Sequence, residues 1–238
     1  MKQRTIRIVI GCLSVMLAGS IAGNIIGYRT VYQLYDRYND LRLDPLGTDH
    51  HAPESTKLEG WRLVLLGDSH AANWIASGDD VLNLGIGAQT SAQIRLRSDA
   101  VRARLSGRRL IVMAGGNDLK SISTNLQRKN AIVSNCLDAL DAVLSNHMER
   151  FEEIVLVTIP PVFSMPVRYR LLHSDLIVQA HREINRGIHR LAVKRGVRLL
   201  DAYRILTGKM EIETLSTDGI HLNTAAYRYL EAALPVLD

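Results

Sequence analysis

From Trp61 onward the chain alternates short apolar runs with longer helical stretches, and this alternation restricts it to few folds. Residues 62–66, 81–84, 110–113, 154–158 and 197–200 read as strands. Helical patterns fall near 91–105, 126–148, 175–195 and 223–233. Strand, helix, strand repeated in this way implies right-handed crossovers and a parallel sheet covered by helices on both faces. The strand runs are apolar without strict alternation, as burial on both faces requires. On such a sheet, ligands bind beyond the carboxyl ends of the strands. The loops that leave those ends are therefore where chemistry is sought.

The segment before Trp61 follows another logic. Lys2, Arg4 and Arg7 precede a run from residue 8 to 27 whose clearly polar members are Ser14, Ser20 and Asn24. About 20 helical residues just span a bilayer core. Basic residues ahead of the run stay cytoplasmic and place the remainder outside. Residues 1–28 are thus either an uncleaved signal-anchor or a cleaved signal peptide, and length favours the anchor. The first gives a single-pass protein of the inner or cell membrane with its main domain extracytoplasmic; the second gives an exported one. Residues 28–44 read as an amphipathic helix leaving the membrane, and 45–60 as a polar linker containing Pro and Gly. The expected organisation is an anchor over 1–28, a juxtamembrane helix and linker over 29–60, and one globular domain over 61–238. The basic excess, 29 Lys plus Arg against 24 Asp plus Glu, comes without a nucleic-acid-binding motif, so no nucleic acid is expected. The two cysteines, Cys12 in the apolar run and Cys136 in a helical pattern, cannot form a disulfide within the domain.

Three loops carry unusual residues. Gly67-Asp68-Ser69-His70 follows the first strand, Gly115-Gly116-Asn117-Asp118 the third, and Asp218-Gly219-Ile220-His221 precedes the last helix. A serine hydroxyl is a poor nucleophile until a base takes its proton. Imidazole does that near neutral pH, and a carboxylate fixes its tautomer. Asp218 and His221, three apart, share one side of a turn. Ser69, where a strand becomes a helix, offers its own N–H to a developing oxyanion, and Asn117 can add a side-chain N–H. Each residue alone has a structural reading: helix cap for Ser69 and Asp218, turn for Asn117. Their coincidence at strand ends is what points to catalysis.

Together these blocks resemble the SGNH (GDSL-like) hydrolase family, over residues 61 to 236. The resemblance implies a five-stranded flavodoxin-like sheet and a serine esterase needing no cofactor or metal. Ser69 would be nucleophile, His221 base and Asp218 its partner. The oxyanion hole would combine Ser69, Asn117 and a glycine N–H after the second strand. There the sequence departs from the family: Asn83-Leu84-Gly85-Ile86-Gly87-Ala88 puts Ala88 where glycine is wanted, so the donor is Gly87 or Ala88. A backbone N–H survives that change unless positive φ is required. The expected substrate is an O-acyl ester of an envelope glycan or a lipid. Two other functions fit the same residues: transfer of the acyl group to a glycan hydroxyl, and a non-catalytic envelope-binding module.

The remaining motifs read as structure. Asp68 is expected to stabilise its loop, and His70 to point away from Ser69. Glu152 and Glu153 read as a solvated edge before the fourth strand. His50, His51, His181, His189 and Cys136 lack metal-site spacing. Gly85-x-Gly87 lacks the third glycine of a dinucleotide loop, and no P-loop is present. The Arg-rich helix 182–195 reads as an exposed face. The Pro-rich segment 159–173 is either a lid over the site or a packed connection.

Overall fold

The computed structural model describes residues 2–48, 58–76, 78–163, 175–210 and 212–236. The chain divides into two compact units, Met1–Gly47 and Thr48–Asp238.

The first unit is one continuous helix, α1 (Lys2–Leu43). It passes through residue 28 without a break, so the expected anchor and juxtamembrane helix run on as one helix. Within the chain its side chains are exposed, and Gln3–Leu43 is long and apolar enough to cross a membrane. A signal sequence meets the same test of length and composition. Its polar side chains turn back on the helix: Asn24 Nδ2 donates to the Ser20 carbonyl at 3.0 Å and Thr30 Oγ1 to the Ile26 carbonyl at 2.9 Å. Such bonds keep polar groups satisfied where water is absent. Helix geometry gives 42 residues a length of roughly 63 Å, about twice a hydrocarbon core.

The second unit is the expected three-layer α/β/α sandwich. Its elements are β1 (Trp61–Gly67), α2 (Ser69–Ala72), β2 (Val81–Gly85), α3 (Ser91–Val101), β3 (Gly107–Met113), α4 (Gly116–Ile122), α5 (Lys129–His147), β4 (Phe151–Val157), α6 (Asp175–Arg195), β5 (Arg198–Leu200), α7 (Ala202–Thr207) and α8 (Thr224–Ala232). All strands are parallel in the order β2-β1-β3-β4-β5. That is the flavodoxin-like order, which reverses direction beside β1 and opens a crevice there.

The strands bury both faces, which explains their unbroken apolar runs. Val64, Leu66, Leu110, Val112, Ile154 and Leu156 pack under α3, α5 and α6 with Ile94, Leu140, Leu144 and Ile184. Leu63, Leu65, Ile111, Met113, Val155 and Val157 pack on the other face with Trp74, Leu206, Tyr227 and Leu230. Cys136 is buried in the first cluster, and both cysteines are free thiols.

β4 begins at Phe151, not at 154, so Glu152 and Glu153 lie inside the strand. Glu152 is exposed, as expected, while Glu153 is half-buried. Its carboxylate accepts from Arg109 of β3 and Arg198 of β5, Arg109 at 2.5 Å, and ties three strands at their N-terminal edge. The helix expected near 91–105 ends at Val101, and the one near 126–148 opens with a 3-10 turn, Leu126–Arg128, before α5. On α6 the basic face is partly paired: Lys194 and Arg195 both meet Asp141 of α5, at 2.9 and 2.6 Å. His50, His51 and residues 49–57 of the linker lie outside the described residues, as do 164–173 of the candidate lid.

Candidate active site

β1 ends at Gly67 and α2 begins at Ser69, with Asp68 as its N-cap. The Asp68 carboxylate accepts from the His70 N–H at 2.9 Å. Asp68 is buried, and burial pushes its carboxyl up to about 6, against the His70 N–H and the Lys120 charge. It stabilises the loop, as expected. The far end of α2 is held by a residue the sequence did not mark. Asn83 of β2 donates to the Ala71 carbonyl at 2.9 Å, and its own oxygen accepts from the Gly85 N–H at 2.8 Å. Strand and helix touch so closely here that a Cβ on Gly85 would lie 2.1 Å from the Ala72 nitrogen.

The last block forms a tight turn. The Asp218 Oδ1 atom accepts from the N–H groups of Ile220 and His221 at 3.0 and 2.8 Å. Its Oδ2 lies 2.7 Å from His221 Nδ1. Partial burial raises the Asp218 carboxyl, but the hydrogen bonds from His221 and Ile220 outweigh it and hold the group at about 2. The turn is closed by Ser216, whose Oγ donates to the His221 carbonyl at 2.8 Å and accepts from the Gly219 N–H at 2.8 Å. Asn223 then caps α8.

His221 Nε2 lies 3.2 Å from Ser69 Oγ, across 152 positions of sequence. With Nδ1–H donated to Asp218, Nε2 is free to accept the serine proton. The three residues expected to act together therefore form one connected chain.

β3 delivers Asn117. Gly115 caps α4 with φ of 113°, and a Cβ there would meet Ile159 Cδ1 at 2.8 Å. Only glycine takes that turn without strain. Asn117 Nδ2 donates one N–H to the Gln89 carbonyl at 2.9 Å, and Lys120 Nζ donates to its oxygen at 3.2 Å. Lys120 thus fixes which way the amide faces, and the second N–H stays uncommitted.

The turn after β2 bears on the glycine position. Ala88 does adopt positive φ, at 64°. A left-handed non-glycine costs about 1–2 kcal/mol. Next to Ala88 in sequence, Gln89 is held by buried Arg97, which donates to its Oε1 at 3.0 and 2.9 Å; burial lowers Arg97 to about 10. The turn approaches the serine, since a Cβ on Gly87 would lie 4.0 Å from the Ser69 Cβ.

Sequence reasoning missed the role of Asp118 here. Asp118 is buried and accepts from the Ser91 N–H at 2.9 Å and the Ser91 hydroxyl at 2.7 Å, fixing α3 to α4. His70 sits beside the last block. It is buried, and its ring stands 5.7 Å from that of His221. Burial, then the His221 and Lys120 charges, hold it down at about 3, so it stays neutral. Tyr227 donates to its carbonyl at 2.7 Å. His181 Nε2 donates to the Ile159 carbonyl, and His189 pairs with Asp201 at 3.1 Å; neither joins a metal cluster, and none occurs among the described residues.

The fold is similar to a GDSL-like lipase from Bacteroides thetaiotaomicron VPI-5482, with TM-score 0.57 and 19% identity over 83% of this chain and 93% of that one. It is also similar to an acetylxylan esterase from Geobacillus stearothermophilus, with TM-score 0.56 and 16% identity over 75% and 94%. No curated protein matches the sequence. The family model of the GDSL-like lipases and acylhydrolases matches residues 58–229, which takes in Ser69, Asn117, Asp218 and His221, and the chain belongs to that family.

Proposed function

We propose that this protein is a serine esterase that hydrolyses an O-acyl ester through an acyl-enzyme on Ser69. The observation that carries the reading is the chain from Asp218 to His221 to Ser69, with steps of 2.7 and 3.2 Å. Ser69 Oγ attacks the carbonyl carbon as His221 Nε2 takes its proton, and Asp218 steadies the imidazolium. The carbonyl oxygen becomes an oxyanion. Its donors are the Ser69 N–H, an N–H of the Gly87-Ala88 turn and the uncommitted N–H of Asn117. Ser69 is the first residue of α2, so its N–H has no acceptor within the helix. The intermediate collapses, His221 returns the proton to the departing alcohol, and the acyl group stays on Ser69. Water then attacks the acyl-enzyme with His221 as base, which releases the acid and restores the serine. No metal or cofactor enters these steps.

The substrate is an acyl ester of an envelope glycan or a lipid. A glycan ester is the kind of substrate for which the acetylxylan esterase of the same fold is named. α1 acts as a single-pass anchor, with Lys2, Arg4 and Arg7 on the cytoplasmic side and residues 61–238 working as the hydrolase domain beyond the cell membrane.

The test is covalent labelling of the full chain, in lipid nanodiscs, by a fluorophosphonate. Wild type should label and Ser69→Ala should not, while both release the same buried-tryptophan fluorescence on unfolding. Equal labelling of the two proteins would remove Ser69 from the mechanism.

A further inference from the structure

A cavity of about 520 Å³ opens beside Ser69. Its walls include Ser69 and Asn117, then Leu119, Ile159, Pro161, Ile177, Val178 and Ile220. The apolar walls come from four places: α4, the chain leaving β4, the start of α6 and, through Ile220, the Asp218–His221 turn. They are held in place by backbone ties that use up the nearby polar groups. Asn185 of α6 accepts from the Ile159 N–H at 2.8 Å and donates to its carbonyl at 3.0 Å, and His181 Nε2 lies 3.1 Å from the same carbonyl. The Phe163 N–H reaches the Gly219 carbonyl at 2.9 Å, linking the chain after β4 to the Asp218–His221 turn. Lys120, Ser123, His181 and Tyr203 also line the space, but most of its wall is hydrocarbon.

The direction of the cavity from the serine decides what fills it. The carbon attacked by Ser69 carries an oxyanion, a departing oxygen and an acyl chain. The departing oxygen must lie at His221, which gives it a proton. The oxyanion must lie between Ser69, the Gly87-Ala88 turn and Asn117. His221, Gly87 and Ala88 are absent from the cavity's described walls, whereas Ser69 and Asn117 are present. The substituent left to enter the cavity is the acyl chain.

From this we infer that the enzyme takes acyl groups longer than acetyl, about four to eight carbons, and holds them in this cavity. The inference rests on the esterase reading and narrows its substrate to a lipid-like ester. At roughly 30 Å³ per carbon, the share of one water molecule, an eight-carbon chain occupies about half of the space. Acetyl leaves nearly all of it to water against an apolar wall. Each methylene withdrawn from water contributes at most roughly fourfold to binding.

The experiment compares p-nitrophenyl acetate, butyrate and hexanoate as substrates of the full chain in nanodiscs. The expected result is a rise in kcat/KM of at least tenfold from acetate to hexanoate. Val178→Trp, and independently Val162→Trp at another wall residue, should lower the hexanoate-to-acetate ratio at least fivefold by filling the cavity. Hydrolysis that is fastest with acetate, or equal along the series, overturns the inference and leaves the esterase reading intact. Should no ester be hydrolysed, calorimetry with hexanoate, corrected for empty nanodiscs, separates the two claims. Hexanoate that binds wild type and not Val178→Trp upholds the acyl site while the hydrolytic reading falls. Hexanoate that does not bind overturns the acyl site.

Discussion

Acid should weaken this fold through one buried imidazole, and His147→Leu should remove that sensitivity. His147 ends α5, and its ring and Ser98 of α3 are fully buried. Its Nε2 lies 2.8 Å from Ser98 Oγ, while Nδ1 has no partner. A neutral ring tolerates this, because Nδ1 can be the bare lone pair. A protonated ring would place a charged N–H against hydrocarbon with nothing to accept it. Burial, and secondarily the Arg150 charge, therefore depress His147 from 6.5 to about 4, with Asp99 pulling weakly the other way. The sign follows directly. Between about 4 and 6.5 the unfolded chain binds a proton that the folded chain refuses, so stability is lost as pH falls through that window. From pH 7 to pH 5, linkage gives a loss of about 2 kcal/mol from this residue. Asp68 opposes it, since a carboxyl raised by burial gains stability on protonation, and His70 adds to it. The measurement must therefore be a difference: urea unfolding of wild type and His147→Leu at pH 7 and pH 5. Both tryptophans, Trp61 and buried Trp74, lie in the second unit and report its unfolding without contribution from α1. The variant should lose about 2 kcal/mol less than wild type over this interval. Parallel losses, within about 0.5 kcal/mol, would refute the claim that His147 is kept neutral by burial.

Two further substitutions test the loops that carry the site. Gly115→Ala forces a Cβ to within 2.8 Å of Ile159 at φ of 113°, and should cost about 2 kcal/mol or more in the same urea assay. Asn117→Ala removes a proposed oxyanion donor; kcat should fall about 100- to 1,000-fold with KM changed little, as steady-state kinetics on a p-nitrophenyl ester would read.

The fold was legible because burial on two faces leaves a plain mark. Val64 and Leu65 must both be apolar, since they face opposite layers. Where charge interrupts that rule the reading slipped. Glu152 and Glu153 hid the first turn of β4, because the arginines that neutralise Glu153 lie on neighbouring strands, 44 and 45 positions away. The short helices α4 and α7, of 7 and 6 residues, are too brief to show periodicity. In the site, the reacting side chains were visible because each sits in a local block whose spacing carries meaning. The residues that hold those blocks were not. Asn83, Ser91, Arg97 and Asp118 each have a partner 8 or more positions away, and nothing local distinguishes them from surface polar residues.

This division has a physical cause. A parallel sheet fixes where its strands end, but not how the loops beyond them are turned, because those loops lie outside the apolar core. Orientation must come from polar ties that survive only where water is excluded. Asp68 turns the serine loop, Asn83 seats the helix behind it, and Arg97 with Asn117 grips Gln89 beneath the strained Ala88. Asp118 and Ser91 then join the helices carrying those last two groups. Buried hydrogen bonds are most costly to break when one partner is left behind. The network therefore holds each loop in a single arrangement, and an alanine can occupy a left-handed turn where a glycine would have moved freely.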